Sequence, residues 1–178
     1  MKWLNSDIRF NLSMLFTINV VISLTSEAVY AFFPLFLQSL GATVVDVGLV
    51  LTVSGLISSV TMIPSGFLTD KYGRKTVIII SVLLSASALF YTFTKSWVEA
   101  IPIAIIFTVA SAIFVPARMA IVADYTNSKN RAMIYSLMNL AWPIGGIVGP
   151  TVAGFLADQY GWNEIFYFVT AFSLASLI

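Results

Sequence analysis

Long apolar runs separated by short polar breaks make up most of this chain. A helix that crosses a bilayer takes roughly 20 apolar residues. Six runs answer to that description, over about 10–38, 45–68, 76–93, 98–123, 132–157 and 163–178. The last is incomplete where the sequence stops. Turn-forming residues mark the breaks: Gly41, Tyr72-Gly73, Asn127-Ser128 and Tyr160-Gly161. The pattern predicts an all-α membrane protein, and the unfinished sixth run predicts a longer native chain.

Composition points the same way. Hydrophobic residues make up 59% of the chain and charged ones 10%, with a mean hydropathy of +0.95. A soluble domain carries roughly 25% charged residues, so the bilayer is the expected solvent. The net charge of +1 gives no reason to expect nucleic acid. Cys and His are both absent. That removes disulfides, thiol nucleophiles, His-based triads and the usual zinc sites. No G-x-x-x-x-G-K-[ST] loop is present. The expectation is a protein that is not an enzyme and takes no cofactor or metal. The first run is too long for a signal peptide and reads as a retained span.

The cations orient the chain. Lys2 and Arg9 precede the first run, Lys71, Arg74 and Lys75 follow the second, and Lys129 and Arg131 follow the fourth. Alternating spans put these on one side, opposite Lys95 alone. The positive-inside bias makes that side the cytoplasm. The N-terminus is therefore expected to be cytoplasmic, in a multi-pass protein of the cytoplasmic membrane.

Two stretches echo each other. GFLTDKYGRK, from Gly66 to Lys75, returns as GFLADQYGWN, from Gly154 to Asn163, with six of ten positions identical. Lys71, Arg74 and Lys75 become Gln159, Trp162 and Asn163. An odd number of spans per repeat inverts the second copy, and cations are disfavoured on the far side. The echo predicts a 3+3 inverted repeat, with residues 45–75 matched by 132–163.

Gly66, Leu68, Asp70, Gly73, Arg74 and Lys75 fit G-x-L-a-D-r-x-G-r-[RK]. This resembles the loop between helices 2 and 3 of the major facilitator superfamily. Residues 116–124, followed by Arg131, are similar to the end of that family's helix 4 and the loop after it. Gly145, Gly149, Pro150 and Gly154 resemble its helix-5 motif G-x-x-x-G-P-x-x-G-G, with Ala153 at the penultimate glycine. That motif is associated with exporters and antiporters. The Arg that many proton-coupled exporters carry early in helix 4 is replaced here by Ala104, and the Gly four residues on by Thr108.

The resemblance implies the N-terminal six-helix half, over residues 1–178, of a twelve-helix secondary transporter. The second half, or a second copy, would be its partner. It implies movement of a small molecule by alternating access between two halves, with proton-coupled export as the leading reading. An uptake carrier, or a six-helix scaffold that transports nothing, stands as the alternative.

Single residues carry further expectations. Asp70 and Asp124 sit at helix C-termini, where a carboxylate meets the negative end of the dipole. Arg74 is within reach of both, and Arg131 of Asp124. By resemblance, Gly66, Asp70, Gly73, Arg74, Lys75, Asp124 and Arg131 form a cytoplasmic gate. The plainer reading is interfacial anchoring, with surface pairs worth ~0–1 kcal/mol each. Glu27 is the one acid deep in a span, about 20 Å from either end. It lies on a polar stripe with Asn19, Ser23, Ser26 and Tyr30, spaced to share one face. Intramembrane acids usually line cavities or relays. The stripe is therefore expected to line a cavity, with Glu27 as a protonatable coupling or cation-binding group. The alternative is a protonated Glu that serves packing alone. Arg118, about 9 Å from the cytoplasmic end, either snorkels or pairs structurally, or binds substrate in the inner vestibule. Gly145, Gly149 and Ala153 form a small-residue stripe that permits close helix approach, and Pro143 and Pro150 are expected to bend the same helix.

Overall fold

A computed structural model describes residues 6–177. Lys2 and the last residue of the sixth run, Ile178, lie outside the described residues. Seven α-helices follow one another: α1 (Ser6–Ser39), α2 (Val44–Tyr72), α3 (Arg74–Ser85), α4 (Trp97–Tyr125), α5 (Arg131–Asn139), α6 (Ala141–Tyr160) and α7 (Trp162–Ala175). No strand occurs among the described residues. Five segments are long and apolar enough to cross a membrane: α1, α2, α4, and the stretches 74–93 and 131–160.

Two of these segments depart from simple helices. After α3 the chain continues to Phe93 as a 3-10 helix, Ala86–Phe93. A 3-10 helix rises about 2.0 Å per residue, so 74–93 reaches about 34 Å rather than the roughly 30 Å of a pure α-helix. Ser85 and Thr92 donate to the carbonyls of Val82 and Leu89, each at 2.7 Å. The fifth run, read from sequence as one bent span, is two helices broken at Leu140. Pro143 is the cause. It has no N–H to give the carbonyl of Asn139, and its ring crowds that carbonyl. At the break the Leu140 N–H turns back to Leu137 at 3.1 Å. Pro143→Ala restores one donor, worth about 1 kcal/mol. Amide exchange at the junction is expected to slow by about fivefold to tenfold, as read by hydrogen–deuterium exchange.

The turns follow local chemistry. Thr43 and Asp46 form a capping box at the start of α2, the Asp46 N–H donating to Thr43 Oγ1 at 3.2 Å and the Thr43 N–H to Asp46 Oδ2 at 2.9 Å. Gly73 and Gly161 each end one helix and begin the next, at φ +88° and +96°. Only glycine adopts that backbone without strain.

α1 packs along α6 and also against α7 and α4, while α4 packs along α2 and α3. The core falls into two clusters along the bundle. One gathers Phe33, Phe36, Tyr91, Phe107, Ile165 and Phe166. The other gathers Leu12, Leu15, Val82, Phe114, Ile134 and Met138. On α1 the interval between them, residues 23–27, carries Ser23, Thr25, Ser26 and Glu27. In the first cluster rings interlock, with Phe36–Phe166 and Tyr91–Phe166 centroids each 4.8 Å apart. Trp162 packs on Phe36 with ring centroids 5.8 Å apart. α2 is the least buried span, with Val47, Val50, Ser65 and Thr69 its buried residues.

Candidate functional site

The junctions α2–α3 and α4–α5 meet at one end of the bundle, and three charges meet there with them. Asp70 is two residues from the end of α2, Asp124 is one residue from the end of α4, and Arg74 is the first residue of α3. Each sits where its own helix dipole disfavours it. Arg74 Nε lies 2.7 Å from Asp124 Oδ2, and its Nη2 donates to Asp124 Oδ1 at 3.4 Å. Arg74 Nη2 is 3.7 Å from Asp70 Oδ1. The cluster therefore compensates three unfavourable helix ends at once and ties α2, α3 and α4 together. Exposure ranks the two contacts. Side-chain exposures are 35% for Arg74, 49% for Asp124 and 74% for Asp70. The Asp124 contact is the tighter and drier of the two.

Arg131 does something else. Its Nη2 donates to the carbonyls of Ala123 and Thr126 at 3.3 and 3.1 Å, and its Nε to Thr126 Oγ1 at 3.4 Å. It caps the C-terminus of α4, a favourable place for a cation. Lys75 is exposed, and Gly66 has open space around its Cα.

The polar stripe on α1 divides. Asn19 and Ser23 are fully buried. Asn19 Nδ2 donates to the Met138 carbonyl at 2.6 Å, and Ser23 Oγ to the Ala141 carbonyl at 2.7 Å. These two flank the break between α5 and α6. The structure thus places them as ties between helices, not on an open cavity wall, because Pro143 disturbs the backbone beside them. Ser26 is buried as well. Glu27 is half-buried, with its Cβ beside Gly149, and makes no hydrogen bond or ion pair with another described residue. Tyr30 is exposed, and its ring centroid lies 6.2 Å from that of Phe107.

Arg118 joins the same break. Its Nη1 donates to the Met138 carbonyl and its Nη2 to Asn139 Oδ1, both at 3.4 Å. Asn139 is the residue the sequence reading missed. Its signal was there: it stands four residues before Pro143, where a helix loses its donor.

On α6, Gly145 and Gly149 face α1 directly. A Cβ at Gly145 would lie 2.6 Å from the Ser23 backbone, and one at Gly149 would lie 2.5 Å from the Leu24 carbonyl oxygen. A Cβ at Gly154 would lie 3.0 Å from the Phe32 ring. Ala153 is buried in the same seam, and Pro150 sits half-buried one residue after Gly149. Among the described residues no group of three or more acids gathers to hold a metal.

Comparison with known proteins agrees with this architecture. The pattern of the Major Facilitator Superfamily matches residues 15–178. An uncharacterized MFS-type transporter of Methanocaldococcus jannaschii is 30% identical over 135 residues, 75% of this chain and 35% of that protein. Multidrug resistance protein 1 of Bacillus subtilis is 33% identical over 115 residues, covering 64% of this chain and 29% of its own length. The quinolone resistance protein NorA of Staphylococcus aureus is 27% identical over 146 residues, 82% of this chain and 37% of NorA. The chain thus spans about a third of the length of these relatives, within their N-terminal half. A match over nearly the whole chain, on a bundle of long apolar helices, identifies this protein as a member of the Major Facilitator Superfamily, an integral membrane transporter family.

Proposed function

We propose that this chain is the N-terminal six-helix half of a secondary transporter that exports a small molecule by alternating access, coupled to protons. The relatives named for multidrug and quinolone resistance support export. The observation that carries coupling is Glu27, an acid in mid-span, half-buried and without a partner among the described residues. An acid at that depth costs several kcal/mol when ionised and unpaired. It is therefore poised to exchange a proton, or a cation, with whatever fills the space beside α1. The Asp70–Arg74–Asp124 cluster is the gate at the cytoplasmic end, and the α1–α6 glycine seam is the close-packed joint that limits leak. Lys75, Gly66 and Gly73 complete the gate loop, and Arg131 steadies it from α4.

The inverted repeat has support in the packing. Exchanging the first three spans for the last three maps the α1–α6 contact onto α4–α2 and the α3–α4 contact onto α7–α1. The contact of the 3-10 segment with α7 maps onto itself. Gly73 and Gly161, equivalent in the echo, share a positive φ. Orientation is supported by the grouping of charges. Asn11 donates to Tyr125 at 3.3 Å, which sets the α1 start beside the α4 end, with Arg9, Lys71, Arg74, Lys75, Lys129 and Arg131 around that same end. That end is the cytoplasmic one. The central site then lies between this half and a second six-helix half.

The test uses full-length protein in liposomes with an imposed pH gradient and a fluorescent drug. Glu27→Gln is expected to abolish proton-driven accumulation, by about a hundredfold in initial rate, equal to about 2.7 kcal/mol in barrier. Downhill exchange should persist. Proton-driven flux that survives in Glu27→Gln would remove Glu27 from coupling. An intact protein that moves no solute in either direction would favour the scaffold.

A further inference from the structure

Among the described residues, Arg118 is a cation without a counter-charge. It is 5% exposed, yet its two contacts are neutral oxygens at 3.4 Å, and its Nε has no partner. The acids that might neutralise it are engaged or remote. Asp124 and Asp70 belong to Arg74. Glu27 is eight residues beyond Asn19 on α1, about 12 Å along the helix. Asn19 shares the Met138 carbonyl with Arg118, and its own Oδ1 is buried without a partner. Neutral acceptors can satisfy N–H groups, but they leave the charge unbalanced, and a buried unbalanced charge is costly.

The break beside it leaves a way in. Asn139 and Leu140 are exposed, while Met138 and Ala141 on either side are buried. Pro143 offers no N–H to the Asn139 carbonyl. The Asn139 side-chain oxygen accepts from Arg118 at 3.4 Å, a long and replaceable contact on a guanidinium whose planar fork matches a carboxylate. Depth selects among anions. Arg118 lies about 10 Å inside the end of α4, deeper than a lipid headgroup layer extends.

We propose that Arg118 and Asn139, at the break between α5 and α6, form a subsite for a carboxylate, or a similarly sized monoanionic group, of the transported molecule. The anion takes the place of the Asn139 side chain on Arg118. This rests on the transporter reading above and narrows its substrates to molecules that carry an acidic group.

The experiment compares 2-naphthoate with its neutral amide, 2-naphthamide, by thermal unfolding of the full-length protein in phosphatidylcholine nanodiscs. At about a hundredfold over Kd, naphthoate is expected to raise Tm by on the order of 5 °C, and naphthamide by far less. Arg118→Gln should lose the shift. Asn139→Asp places a carboxylate on Arg118 from within. It should raise the ligand-free Tm and also abolish the naphthoate shift, so the idea stays testable even if Arg118→Gln does not fold. Equal shifts from both ligands, or a full shift in either variant, would overturn the subsite. So would an Arg118-dependent shift caused by anionic phosphatidylglycerol and not by naphthoate. Ethidium flux in liposomes separates the two readings. Transport of ethidium with no naphthoate binding defeats the subsite alone. Arg118-dependent naphthoate binding without transport of any solute defeats the transporter reading alone.

Discussion

Gly149→Ala is expected to destabilise the bundle by about 3 kcal/mol, the upper part of the usual cost of overpacking. The new methyl would meet the Leu24 carbonyl oxygen at 2.5 Å and the Ala28 nitrogen at 3.0 Å. Both are backbone atoms of α1, so no rotamer change can relieve the clash. The helices must separate, and the seam that Gly145 shares with Ser23 opens with them. Gly145→Ala should behave alike, since its methyl would meet the Ser23 backbone at 2.6 Å. Gly146 provides the control. It lies on the same helix with open space around it, so Gly146→Ala should be neutral, or stabilising by up to about 1 kcal/mol through helix propensity. Thermal unfolding in detergent reads the difference, with Tm lowered by roughly 6–12 °C at Gly149. An unchanged Tm for Gly149→Ala would mean that α1 and α6 are not in backbone contact.

The Asp70–Arg74–Asp124 charge cluster should show the reverse pattern, with little effect on stability and a large one on transport. Arg74 and Asp124 are partly exposed, and solvent screening holds such pairs to about 1 kcal/mol or less. Asp124→Asn should therefore shift Tm by only a few degrees. In the gate proposed above, though, the pair would stabilise one access state over the other. Removing about 1 kcal/mol from that balance changes the population ratio about fivefold, and flux should change with it. Charge exchange, Arg74→Asp with Asp124→Arg, restores the attraction but leaves Asp70 facing a carboxylate. Partial recovery is the expected result in liposome flux. Asp70→Asn should weaken this tie less than Asp124→Asn, because its contact is longer and wetter. Asn and Asp variants with identical flux would reduce the cluster to an interfacial anchor.

Much of the helical plan was legible as a pattern. Apolar runs of membrane length, cut by Gly and polar pairs, locate the helices within a few residues, since a spanning backbone must satisfy its own hydrogen bonds. Gly73 and Gly161 were visible as turns because a positive φ leaves few residues to choose from. The meeting of Arg74 with Asp70 could be anticipated from i,i+4 spacing. Its closer meeting with Asp124 could be anticipated only as one option beside Arg131, because the two are 50 positions apart. Spacing could not reveal that Arg131 turns back onto the carbonyls of α4.

The polar stripe on α1 marks the limit more sharply. Periodicity puts Asn19, Ser23, Ser26, Glu27 and Tyr30 toward one side of a helix and says nothing about what stands opposite. Along that one side the neighbours change. Near Asn19 and Ser23 stands the broken fifth span, whose carbonyls take both side chains. Near Glu27 stands Gly149, and the carboxylate has no partner among the described residues. The sequence by itself determined that this chain is built of long apolar helices suited to a bilayer, where its cations collect and where its glycine turns fall. Local chemistry and the solvent decide those features. The tertiary structure alone decided which polar groups are spent on holding helices together and which are left over. A hydrogen-bonding group becomes structural or functional according to what another helix brings within 3 Å of it, and that depends on packing between residues far apart in the chain.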